Sequence, residues 1–401
     1  MWRVSFLMLL AAPSVLSTPE LQLVHVVFSH KFYAPVETNN GTIFPGILDY
    51  QHFLEQTFDM DNKAKMDLFN LGVFLRKKYD SFLGKIYHPD FMKMRTSEYV
   101  LSMISGMLVD AGLWPPAEPQ KWKQDLDWQP IPTEYEPVEK DTLLTGYFCP
   151  AFKNEEQQLN ANVSSVIAEH SALFNYVTRH YGKKIETPWH IALLYSCFET
   201  IAAQNVSLPH WTNDIFPNGE MQTVTLKAYE SLSMTRLQKT LNGGPLLKKI
   251  LHDSLEHQSS NGTSKLKLLM YSGEDRNVMA LLQNLGAWSP HILQQGAAII
   301  FEVYNNSNSL ENTIKMFYLT DVNSYKLTPI KLTDCGEYCP LTKFGNILKD
   351  IIPIDERSIC HQKQVPPIKP PSSSSSPNCH SASLLTFAIS VPAVLMSLVL
   401  T

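Results

Sequence analysis

The amino-acid sequence predicts an α/β protein: a parallel-dominated sheet covered by helices, with a helical insertion. Three observations carry this prediction. The run "LVHVVF", Leu23 to Phe28, is apolar and β-branched, as a strand buried in a sheet must be. Strand and helix patterns then alternate as far as Pro116, the order that builds a parallel sheet with helical cover. Residues 140–258 carry long helical patterns without a strong strand run, and strands resume at Lys265.

Each element follows from local chemistry. The first strand ends at Ser29-His30, and the turn-rich segment "APVETNNGTIFPG" follows. Leu68, Leu71, Leu75, Tyr79 and Phe82 recur at helical spacing until Gly84 and Pro89 break it. "KIYHPDFMKMRTS" reads as a second strand leading to Arg95. Val100, Ile104, Met107 and Ala111 mark one face of the next helix, closed by Gly112 and Pro115-Pro116. Within the insertion, "EEQQLNANVSSVIAEHSALFNYVTRHYG" and "LKKILHDSLEHQSS" read as helices. "KLKLLMYSGED", Lys265 to Asp275, is a strand entering a loop. "RNVMALLQNLG" is a helix with Val278, Leu281, Leu282 and Leu285 on one face and Gly286 as its stop. "AAIIFEVY" is a buried strand, and "TIKMFYLTD" is its partner.

Composition narrows the function classes. An apolar content of 44% and a charged content of 18% describe an ordinary globular chain. The net charge of −5, with no basic stripe, argues against nucleic acid as a partner. Residues 1–17, "MWRVSFLMLLAAPSVLS", have the basic start, apolar core and small residues of a cleaved signal peptide. Residues 362–383 form a Ser/Pro-rich stalk, and residues 384–401 are nearly all apolar with no Lys or Arg after Lys369. A transmembrane helix normally keeps a basic cytoplasmic flank, so this tail reads as a glycosylphosphatidylinositol (GPI) signal. Attachment at Ser372–Ser376 or at Asn378–Ser381 both fit, and a tail-end transmembrane anchor is the alternative. The mature domain is then 18–361, with its core in 18–139 and 259–361 and the insertion at 140–258. The secretory pathway and the extracellular face of the plasma membrane, with a membrane contact through the C-terminal anchor, are the expected setting.

Six cysteines in an exported chain favour disulfides. Cys335 and Cys339 can close a small loop, Cys149 and Cys360 are long-range partners, and loss of Cys379 with the tail leaves Cys197 as a buried free thiol. Sequons at Asn40, Asn162, Asn205, Asn261 and Asn305 agree with secretion. "HDSLEH" places His252 and His257 five apart, on different helix faces, so no metal is assigned. "NGGP", Asn242 to Pro245, is a turn without the Lys and Ser/Thr of a phosphate loop.

Six short blocks carry a further pattern: "SHKFYAP" (Ser29 to Pro35), "RTSEYVLSMISGMLVDAGLWPP" (Arg95 to Pro116), "WQPIP" (Trp128 to Pro132), "LLTGYFCP" (Leu143 to Pro150), "YSGEDRNVMALLQNLG" (Tyr271 to Gly286) and "CPLTKF" (Cys339 to Phe344). In this order and spacing they resemble the histidine acid phosphatases, the secreted and lysosomal branch of the histidine phosphatase superfamily, over roughly residues 21–350. The family's own blocks read R-H-G-x-R-x-P, R-S-T-D and Y-S-x-H-D. The resemblance implies a nucleophile at His30 that becomes a phosphohistidine, a general acid at Asp275 and a phosphate clamp at Arg95. It also implies a phosphomonoester or other anionic ligand, no cofactor, and a homodimer.

Three of the implied positions have changed chemistry. Ser29 and Tyr33 stand where the family has arginines, and Glu274 stands where it has a histidine. Guanidinium groups hold a phosphoryl oxyanion by forked, charge-assisted bonds. Loss of one preorganised oxyanion donor typically costs about 10² to 10³ in rate, and a transition-state arginine can be worth roughly 10³ to 10⁵. An ionised Glu274 would repel the dianion outright, whereas a protonated one could donate at acidic pH. Lys31 and Arg276, adjacent to motif positions, are candidate compensating cations. Two more local expectations follow: Glu274 pairs with Arg95, and Asp275 caps the helix that begins at Arg276. Two functions stay open, a catalytically impaired pseudophosphatase that binds at the cell surface and a weakly active acid phosphatase.

Overall fold

Alternation along the first strand sets the architecture. β1 (Glu20–His30) sends Leu23 and Val27 to one face and Val24, Val26 and Phe28 to the other, and all five are fully buried. A strand buried on both faces needs helices on both sides, and the chain supplies them. The computed structural model describes residues 19–31, 36–39, 42–45, 60–203, 207–305 and 311–361. The proposed signal peptide, stalk and anchor, together with Tyr33, Asn40 and Asn205, lie outside the described residues.

After β1 come a two-stranded antiparallel pair, β2 (Val36–Asn39) and β3 (Thr42–Pro45), in the segment expected to be turn-rich. Helices α1 (Asn62–Lys78) and α2 (Asp80–Leu83) follow, ending at Gly84 as its φ of 74° requires. Next are β4 (Met92–Thr96), α3 (Val100–Leu113) and the short β5 (Thr133–Glu134). The sheet resumes with β6 (Leu268–Glu274), β7 (Ala298–Asn305), β8 (Thr313–Leu319), β9 (Leu327–Ile330) and β10 (Cys339–Pro340).

The eight-stranded sheet has the order β10-β8-β7-β1-β6-β4-β5, with β9 paired to β8. β1, β6, β4 and β5 run parallel and form the core, and β7 to β10 add an antiparallel wing. One face packs against α1 and α3 through Leu68, Leu71, Leu75, Val109 and Leu113. These two helices cross so closely that a Cβ on Gly72 would run into the Val109 carbonyl, and one on Gly112 into the Phe69 carbonyl. Gly112, expected as a helix stop, thus lies inside α3 because the crossing needs a residue without a side chain; Trp114 is the actual cap.

Between β5 and β6 the chain is helical: α4 (Pro150–Gln158), α5 (Asn160–Glu169), α6 (Ser171–Tyr181), α7 (Pro188–Ala203), α8 (Glu220–Glu230), α9 (Arg236–Leu241) and α10 (Gly244–Ser259). The first long helical pattern is divided into three helices at Leu159 and His170. α6, α7 and α8 share a core of their own around Phe174, Val177, Tyr195, Phe198 and Val224, with Cys197 a buried free thiol inside it. α10, α11 (Asp275–Asn284) and α12 (Leu341–Leu348) cover the second sheet face. The last helix is α13 (Glu356–His361). Disulfides Cys149–Cys360, which ties α4 to α13, and Cys335–Cys339 are both formed, the two pairs expected in the sequence. Among the described residues no helix is long and apolar enough to cross a membrane.

Candidate active site

β1 and β6 are neighbours in parallel register, so their carboxyl ends bring His30 opposite Glu274 and Ser29 opposite Gly273. In open α/β sheets this edge is where ligands gather. A cavity of about 30 Å³ lies there, lined among others by His30, Trp189, Tyr229, Glu274, Asp275 and Arg276. That is room for one or two waters.

His30 is 4% exposed and fixed from both ring nitrogens. Nδ1 lies 3.0 Å from the Lys31 carbonyl, which only accepts, so Nδ1 carries the proton. In the neutral ring Nε2 is then an acceptor, and it takes the hydroxyl of Ser102 at 3.1 Å. Ser97 donates in turn to Ser102 Oγ at 2.7 Å, and Ser272 donates to the Ser102 carbonyl at 2.8 Å. The lone pair that would attack phosphorus is therefore engaged by a buried serine on the first turn of α3. Burial depresses the His30 pKa to about 4, with the Lys31 carbonyl acting in the opposite direction.

The carboxyls answer in the opposite direction. Asp275 accepts from the Ser29 hydroxyl at 2.9 Å. Burial pushes its pKa up to about 7; the Ser29 bond and Lys31 oppose the rise, and Glu199 and Glu274 add to it. Glu274 is raised by burial too, with Arg276 and the Tyr147 hydroxyl, 2.9 Å away, pulling it down. Glu274, not Asp275, is the N-cap of α11, and its backbone N–H donates to Asn277 Oδ1 at 2.8 Å. Asp275 occupies the first helical position, which leaves its carboxyl available to Ser29.

The cations are committed elsewhere. Arg95 pairs with the fully buried Asp141 at 2.9 Å and donates to the Thr96 carbonyl. Its expected pairing with Glu274 is not formed, because each group has a nearer partner, Asp141 for one and Tyr147 for the other. Asp141 is locked in place by the backbone N–H groups of Leu143 and Leu144. Lys31 pairs with Glu199 at 2.8 Å, and its backbone N–H donates to Gln295 Oε1 at 2.7 Å. Arg276 alone of the two candidate substitutes lines the cavity, with its guanidinium 4.3 Å from the Trp189 ring centroid and 4.9 Å from that of Tyr147. Around His30 three carboxyls, Glu199, Glu274 and Asp275, thus meet two cations, Lys31 and Arg276.

The structure brings together His30, Ser29, Glu274, Asp275 and Arg276, and turns Arg95 and Lys31 toward carboxylates. Sequence reasoning missed Ser102, Asp141, Tyr147, Trp189 and Glu199. They come from α3, from the segment between β5 and α4, and from α7, and only the packing of those parts places them here. The arrangement offers a neutral imidazole, a proton on Asp275 up to about pH 7, and one lining guanidinium.

Comparison with known proteins bears on this site. The model of the Histidine phosphatase superfamily (branch 2) matches residues 55–319, well over half of the chain. Venom acid phosphatase Acph-1 of Apis mellifera is 31% identical over 350 residues, spanning 86% of this chain and 89% of that protein. Prostatic acid phosphatase of Homo sapiens is 25% identical over 351 residues, 85% of this chain and 88% of that one. Among solved structures the apo form of Hafnia alvei phytase has the same fold, with a TM-score of 0.57 at 15% identity, covering 88% of this chain and 100% of that chain. With the strand-end histidine and the helix-start aspartate in adjacent register, the chain belongs to the histidine phosphatase superfamily, branch 2, as a member of the histidine acid phosphatase family.

Proposed function

We propose that this protein is a pseudophosphatase: a histidine acid phosphatase-family domain that retains the pocket and has lost most of the reaction, acting as a binding protein on the cell surface. The observation that carries this reading is the engagement of His30 Nε2 by Ser102 above a cavity of about 30 Å³ with one lining Lys or Arg among the described residues. Phosphoryl transfer needs cations preorganised around three equatorial oxygens. Here the motif arginine Arg95 is paired with Asp141, and the position of the family's histidine donor is taken by a carboxyl, Glu274, whose pKa burial raises and which is bonded by Tyr147. The C-terminal lipid anchor and the extracellular location belong to the same proposal; release by a phosphatidylinositol-specific phospholipase tests them.

One observation favours a second reading, a weak acid phosphatase. His30 is neutral above about pH 4 and Asp275 keeps its proton up to about pH 7, so nucleophile and general acid are both in working form between those values. The two readings separate in one assay, hydrolysis of an aryl phosphate by the purified protein and by His30→Ala from pH 4 to 7. Equal rates support the pseudophosphatase. A bell-shaped, His30-dependent rate with limbs near 4 and 7 supports the enzyme.

A further inference from the structure

The small cavity over His30 has a larger neighbour built from the helical insertion. A pocket of about 670 Å³ opens between α4, α5, the start of α7 and the end of α8. That is the size of a site for a small organic group. Its walls mix apolar surface from Val163, Val166, Trp189 and Met234 with the amide of Gln157 and the charged groups of Lys153, Glu156, Lys227 and Glu230; Gln238 beneath them is spent on capping α9. Trp189 lines both cavities and carries the Arg276 guanidinium on its ring. Asn162, Val163 and Val166 lie toward one side of α5 and border the pocket, and Val166 also packs against the core shared by α6, α7 and α8.

Asn162 opens the sequon Asn162-Val163-Ser164 and is exposed on the pocket rim. Its Nδ2, the atom a sugar would be joined to, points across the mouth to Met234 Sδ at 3.9 Å. Met234 on the far wall is itself 49% exposed. The sequon at Asn261 differs: it sits on an exposed turn with φ 48° after α10. The two disulfides agree with passage through the compartment where sequons are modified.

We propose that Asn162 is N-glycosylated and that the first two N-acetylglucosamine units of its glycan fold back into this pocket. A pyranose ring presents an apolar C–H face and a rim of hydroxyl and amide groups. That chemistry matches an indole and aliphatic wall whose polar rim is the Gln157 amide and charged side chains that can bond hydroxyl groups. The modification forms a bond from Asn162 Nδ2 to the anomeric carbon of a lipid-pyrophosphate-linked oligosaccharide. One N–H proton is lost, the bond from that carbon to the pyrophosphate oxygen breaks, and the lipid pyrophosphate leaves. Filled in this way, the pocket braces α5 against α7 and holds Trp189, and through it Arg276, in place.

The test uses the full chain secreted from a eukaryotic host. Glycopeptide mapping is expected to find Asn162 modified. Ser164→Ala removes the sequon and leaves the asparagine; enzymatic removal of the glycan from folded wild-type protein gives the same comparison without a substitution. After either change, amide hydrogen exchange in residues 159–166 and 187–191 is expected to quicken at least about threefold, as local opening is no longer restrained. Thr263→Ala, which deletes the Asn261 sequon, is expected to leave both segments unchanged. An unmodified Asn162, or exchange in these segments that ignores loss of the sugar, overturns the proposal. So does an equal response to Thr263→Ala.

Discussion

The β1–β6 rim of the parallel sheet and the β4 rim beside it have kept different things. At the first, His30 and Asp275 still stand side by side, because backbone register fixes them: His30 is paired with Glu274, and Asp275 follows it into α11. At the second, Arg95 still ends its strand, yet its side chain is turned to Asp141. Backbone register survives changes in side-chain chemistry, since strand pairing depends on the buried apolar pattern. The field in the pocket depends on side-chain partners instead: Arg95 and Lys31 go to Asp141 and Glu199, while Arg276 stays at the cavity on the Trp189 and Tyr147 rings. A fold can therefore fix the placement of two side chains, His30 and Asp275, while the partners of the charged groups around them are set by packing.

The sharpest way to break this comparison is at the second rim. Asp141 is fully buried, accepts two backbone N–H groups and pairs with Arg95, whose side chain is 15% exposed. Asp141→Asn leaves that guanidinium unpaired and is expected to cost about 3 kcal/mol in urea unfolding. Adding Arg95→Leu is expected to return part of that loss. If Asp141→Asn is neutral, the ion pair is not what holds Arg95 away from the cavity.

The first rim carries the next largest effect, in pH dependence. Asp275 has a folded pKa near 7 against an ordinary value of 3.8, so the folded state holds its proton more tightly. Its contribution to stability is complete below about pH 4 and is lost as pH rises toward 7. His30, near 4 in the fold against 6.5, acts oppositely: its contribution is complete above 6.5 and is lost as pH falls toward 4. Across that shared window the two slopes cancel. Asp275→Asn should therefore gain stability relative to wild type as pH rises from 4 to 7, and His30→Gln should lose it from 4 to 6.5. Each difference has a slope of about 1.4 kcal/mol per pH unit. Parallel curves for wild type and variants would show that neither group is held in the assigned protonation state.

These groups were legible in the sequence to unequal degrees. β1, β6 and α11 were readable because burial on both sheet faces and on one helix face writes a period into the chain, and that period placed His30, Glu274 and Asp275 at strand and helix ends. Gly112 was misread as a stop because its function, close approach to α1, lies in a partner far along the chain. Asp141, Tyr147 and Ser102 were invisible for the same reason. A partner far along the chain leaves no local pattern, as the Ser102 bond to His30, the Tyr147 bond to Glu274 and the Asp141 pair with Arg95 illustrate. What the sequence did report was that positions 29 and 33 carry Ser and Tyr, which bear no positive charge. It could not report where the remaining cations would go.

A smaller effect sharpens the role of Ser102. Ser102→Ala removes the hydroxyl that donates to His30 Nε2 and is expected to destabilise the fold by about 1 kcal/mol. Because that bond favours the neutral ring, its loss should also raise the His30 pKa, measurable from the ring proton shifts. An unchanged pKa would mean that the hydroxyl does not engage Nε2 in solution.

The central claim is that this pocket no longer grips a doubly negative group, and equilibrium binding of inorganic phosphate tests it most directly. Calorimetry at pH 5 and 7, on wild type and on His30→Ala, should find no saturable binding tighter than about 1 mM, equivalent to roughly −4 kcal/mol, in either protein. Micromolar binding to the wild type that disappears in His30→Ala would contradict the account.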